Sequence, residues 1–135
     1  MKLADLGECR KYPLVPGENQ RPLPTPVRNW APPECISKYA GGQEYSPASD
    51  VYALAMCFWE LYTCEVPYDE DIYRTMQHDD FVSSVVDAGA RPFIPPSMPN
   101  DLADLLRRCW SKDPRERPDM AEVTQILHDR HYSMV

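Results

Sequence analysis

The chain has 135 residues, enough for one domain or part of a larger one. Apolar residues make up 43% of it, and 21 acidic against 14 basic side chains give a net charge of −7. A sizeable core is therefore within reach, while a nucleic-acid or anionic-membrane surface is excluded as the main business, and no apolar run is long enough to form a membrane segment as a helix. Five cysteines (Cys9, Cys35, Cys57, Cys64 and Cys109) are odd in number and lack C-x-x-C spacing. They read as small core hydrophobes in a reducing, intracellular and cytoplasmic setting. Met1 opens directly into Lys2-Leu3-Ala4-Asp5, with no signal-peptide pattern.

Residues 2–6 read as a very short strand ending at Asp5-Leu6-Gly7. Seven prolines follow within residues 8–33, at Pro13, Pro16, Pro22, Pro24, Pro26, Pro32 and Pro33. Their missing N–H groups keep this stretch out of regular structure, which makes it a long loop. A short helix is expected over Glu34–Tyr39, broken by Gly41-Gly42. The longest apolar run, Ser49–Thr63, carries only Glu60 as a charge between Val51 and Tyr62. Apolar on every face, it predicts a central helix buried on all sides. Ser46-Pro47 supplies its start signal, and it ends near Cys64.

Phe81, Val82, Val85 and Val86 give a helical pattern over 79–88, with Gly89 as the stop. Residues 70–78 stay open between helix and loop, and 91–96 read as extended and proline-bound. Leu102, Leu105, Leu106 and Cys109 recur at i, i+3, i+4 and i+7, one face of a helix. Asn100 is its candidate cap, and Asp101, Asp104, Arg107 and Arg108 suit the helix dipole. The last helix is expected to begin at Asp119, with Glu122 completing a capping box and Met120, Val123 and Leu127 facing inward. His128 and His131 lack further ligands and read as a solvated helix end.

Four stretches, in this order, resemble the C-terminal lobe of a eukaryotic protein kinase: K-L-A-D-L-G (2–7), W-A-P-P-E (30–34), S-D-V-Y-A-L-A-M-C-F-W-E-L (49–61) and C-W-S-K-D-P-R-E-R-P (109–118). Pairing the third with the fourth is typical of the tyrosine-kinase-like and tyrosine kinase groups. The resemblance implies a mainly α fold, an incomplete kinase domain. Residues 1–34 would be the metal-binding-motif strand and activation segment, 35–131 the helical subdomain and 132–135 a tail.

By that resemblance Asp5 is the Mg²⁺ ligand, beside Gly7; Leu6 replaces the family's Phe with an apolar side chain that keeps a spine contact, and Cys57 and Leu61 match positions that support the adenine-side hydrophobic spine. Tyr12 and Thr25 are the activation-segment hydroxyls placed for phosphorylation. Trp30, Pro33 and Glu34 close that segment, with Pro32 where the family keeps Ala. Val27 falls where serine/threonine kinases keep Thr and tyrosine kinases keep Pro, a position that shapes the acceptor site, so the acceptor stays open. Glu34 and Arg117 are implied as a buried ion pair, in which a bidentate fork favours Arg over Lys. Asp50 is implied as the anchor at the start of the central helix, accepting hydrogen bonds from the catalytic loop.

ATP and Mg²⁺ are the cofactors the resemblance implies, and a protein substrate the partner. Yet no Gly-rich loop, V-A-I-K lysine or H-R-D-x-x-x-x-N pattern occurs in these 135 residues. The expectation is the C-terminal half of a protein kinase domain, inactive by itself and missing its N-lobe half. The alternative is a non-catalytic, pseudokinase-like docking module. In either case the catalytic loop and preceding helix, which cover one flank of the central helix in the family, are absent from the chain. An exposed apolar patch is therefore expected there.

Overall fold

The computed structural model describes residues 28–36 and 45–133. The strand expected at 2–6 and most of the proline-rich loop lie outside these residues. All regular structure among the described residues is helical: α1 (Pro33–Ile36), α2 (Pro47–Thr63), α3 (Asp71–Arg74), α4 (His78–Val86), α5 (Asn100–Cys109) and α6 (Met120–Ser133), with a 3₁₀ turn at Pro114–Glu116.

Helix α2 is the axis of the molecule. Pro47 is its first residue after the cap Ser46, whose N–H donates to Ser49 Oγ at 3.2 Å. It ends where Cys64 turns into the left-handed region at φ 57° and donates its N–H to Glu60 O. Ser49, Tyr52, Met56 and Trp59 are buried along one face, with Val51 and Ala55 beside them. This face packs against α5 and the 3₁₀ turn.

Burial on all sides is not what the structure shows. Cys57 and Tyr62 are exposed, and Leu61 is 65% exposed. This flank of α2 therefore stands partly open to solvent. Beside it, Phe58, Leu61, Tyr62, Leu102, Leu105 and Leu127 line an apolar groove of about 270 Å³.

Around this axis the connections are tied by polar groups of α2. Trp59 Nε1 donates to Phe93 O at 2.7 Å and Tyr62 Oη to Ser97 O at 2.8 Å, holding the extended stretch after α4 across the helix. Tyr68 takes φ 57°, a left-handed conformation rare for a bulky residue. Its hydroxyl donates to Ala90 O at 3.1 Å, and its ring meets Tyr73 and Phe81 edge-on at 5.2 and 5.3 Å. These contacts fix the turn between α2 and α3.

Of the short helix expected over Glu34–Tyr39, α1 shows the first turn, packed on α4, and residues 37–39 lie outside the described residues. The open stretch 70–78 contains the single turn α3. Helix α4 stops at Val86, and Gly89 follows at φ 71°.

Three local expectations are corrected. Asn100 is the first residue of α5 rather than its cap: Pro99 precedes it, and Ala103 N–H bonds the Pro99 carbonyl at 2.9 Å. Asp119 caps α6, accepting from Glu122 N–H at 2.8 Å. The reciprocal half of the box does not form, because the Glu122 carboxylate takes Arg108 instead. Met120 is 40% exposed, while Ile126 joins Val123 and Leu127 on the inner face. Asp119→Ala should therefore cost about 1 kcal/mol in urea unfolding. A loss below a few tenths would show that the cap carries no weight.

Candidate functional site

The site is built where the end of the loop segment meets the start of α2. Glu34 lies in the first turn of α1, and Arg117 follows the 3₁₀ turn, 83 residues further on. Arg117 Nη1 donates to Glu34 Oε1 and Nη2 to Glu34 Oε2, each at 2.8 Å, a bidentate fork. The side chains are 0% and 6% exposed. Such a pair is desolvated, so its persistence depends on satisfying the remaining donors and acceptors.

That satisfaction is visible atom by atom. Arg117 Nε donates to Ser111 O and Nη1 to Ala48 O, both at 2.9 Å. Ser49 Oγ donates to Glu34 Oε1 at 3.0 Å while accepting the Ser46 N–H. The guanidinium also lies 5.0 Å from the ring centroid of Tyr52. One cluster thus joins α1, the first turn of α2 and the segment after α5. Beside it, burial and the Glu34 carboxylate push the Cys35 thiol up to about 12, which keeps it protonated and unreactive.

The residues just before α1 are held separately. Asn29 Nδ2 donates to Pro67 O at 2.8 Å, and Trp30 Nε1 donates to Glu60 Oε2 at 3.0 Å. The Arg28 guanidinium carbon lies 4.7 Å over the Phe81 ring. Three consecutive side chains therefore grip three different parts of the helical body, and Ala31, Pro32 and Pro33 are buried behind them.

The other residues singled out in the sequence are dispersed. Asp50 is exposed in the first turn of α2, and no donor among the described residues reaches its carboxylate. Partial desolvation pushes its pKa up. Cys57 and Leu61 are exposed on one flank of α2. Asp5, Leu6, Gly7, Tyr12 and Thr25 fall outside the described residues. No group of three His, Cys, Asp or Glu among the described residues could hold a metal ion.

Several contributors had weak sequence signals. Glu60 is the lone charge in an apolar run, which marks it as a partnered carboxylate. Ser49 is visible only as a helix-start residue. Arg91 gave no signal, yet it donates to Val85 O, Ala90 O and Trp110 O and lies 5.4 Å from the Tyr52 ring centroid.

The pattern of the family described as protein tyrosine and serine/threonine kinase matches residues 1–127. The chain belongs to the protein kinase family. Within this kinase family, the chain is 33% identical over 128 residues to serine/threonine-protein kinase STY17 of Arabidopsis thaliana, covering 95% of itself and 20% of that protein. It is 34% identical over 97 residues to dual specificity protein kinase shkE of Dictyostelium discoideum, with 72% and 12% covered. It is also 36% identical over 101 residues to cyclic GMP-binding protein C of the same organism, with 73% and 4% covered. The chain thus spans between 4% and 20% of the length of these three relatives. The helical architecture around α2 is that of the kinase C-terminal lobe. No helix among the described residues is long and apolar enough to cross a membrane.

Proposed function

We propose that these residues are the peptide-side part of a protein kinase catalytic domain of the tyrosine-kinase-like group, one that transfers the γ-phosphoryl of ATP to protein serine or threonine. The carrying observation is the Glu34–Arg117 fork, which ties the end of the proposed activation segment to the helical body across 83 residues. A serine or threonine acceptor is supported by relatives named as serine/threonine kinases. In this reading residues 1–34 are the metal-motif strand and activation segment, with Asp5 as the Mg²⁺ ligand and Tyr12 and Thr25 as regulatory hydroxyls. Asp50, whose carboxylate meets no donor among the described residues, would receive the backbone N–H groups of a catalytic loop. The protein works in a reducing intracellular compartment.

The chain's own contribution to the reaction is to position rather than to perform chemistry. The fork and the Asn29 and Trp30 contacts fix the acceptor platform, so that ordering of the segment sets whether a hydroxyl can be presented. ATP with Mg²⁺ supplies the transferred group when bound, and residues beyond the described ones would hold both.

The test is phosphate incorporation from γ-labelled ATP into a general protein substrate, using a longer protein in which a strand lysine and an H-R-D loop precede these residues. Label is expected on serine and threonine and should be abolished by Asp5→Asn. A folded protein that incorporates none, or equal incorporation in the Asp5→Asn form, would contradict the reading. The open apolar flank of α2 supports a second reading, a non-catalytic docking module, and the first of those outcomes would favour it.

A further inference from the structure

We draw no further inference here: the strongest candidate, the apolar groove that Phe58, Leu61 and Tyr62 of α2 form with Leu102 and Leu105 of α5 and Leu127 of α6, carries nothing because nothing in the structure shows what covers it.

Discussion

Arg117→Ala is expected to cost about 3–5 kcal/mol of unfolding free energy, and Glu34→Ala a similar amount toward the lower end. The asymmetry follows from what each substitution leaves behind. Without Glu34, Arg117 keeps the carbonyls of Ser111 and Ala48 and the Tyr52 ring. Without Arg117, the carboxylate keeps only the Ser49 hydroxyl at 3.0 Å in a site where its side chain is 6% exposed. An uncompensated buried charge is the costlier remnant. The double variant should fall well short of the sum, because the second substitution removes a group that has already lost its partner. Urea denaturation of all four proteins closes the cycle. Strictly additive losses would show that the two residues are energetically independent, and the fork would then lose its place as the tie between segment and body.

Phe81→Ala should be comparably damaging, at about 3–5 kcal/mol. Phe81 is 1% exposed, and its ring meets Tyr68 at 5.3 Å and Tyr73 at 6.3 Å, both edge-on. The cost combines lost burial, a cavity beneath α4 and two aromatic contacts. Tyr68 holds its left-handed backbone partly through that ring contact, so the turn after α2 should loosen as well. Phe81→Leu keeps most of the volume and should cost under about 1.5 kcal/mol. Equal losses for Leu and Ala would mean that the aromatic geometry, not the volume, carries the effect. With domains commonly stable by about 5–15 kcal/mol, either Ala variant removes a large share of the margin.

The helices were legible where a local rule decides them. The 3.6-residue period of α5 and the Ser46-Pro47 start of α2 depend on neighbours in sequence, and both appear where the pattern puts them. The burial of α2 was not legible, because an apolar surface records what a helix can pack against rather than what is present. The cap expected at Asn100 and the box contact expected of Glu122 fail for a related reason. Pro99 occupies the cap position before α5, and Arg108, arriving from α5, takes the carboxylate that the last helix would have used. No sequence period announces a contact of that kind.

The site divides along the same line. Glu34 and Arg117 were reached through the order of four motifs, since nothing near either residue marks a partner 83 positions away. Arg28, Arg91 and Ser49 escaped, because a cation on a ring, a guanidinium on carbonyls and a hydroxyl shared by two elements have no characteristic spacing. Glu60 was visible as an oddity, a carboxylate in an apolar run, but only the fold supplies the Trp30 indole that it accepts from.

In the proposed reading, residues 1–135 are the peptide-side scaffold of a kinase, and residues beyond them complete its nucleotide site. The most direct test is the unfolding midpoint of the 135-residue chain with and without millimolar ATP and Mg²⁺, followed by calorimetry. Any ligand that binds the native state stabilises it by mass action. No shift of the midpoint is expected, whereas a clear upward shift that depends on Mg²⁺ would show a nucleotide site already complete in these residues.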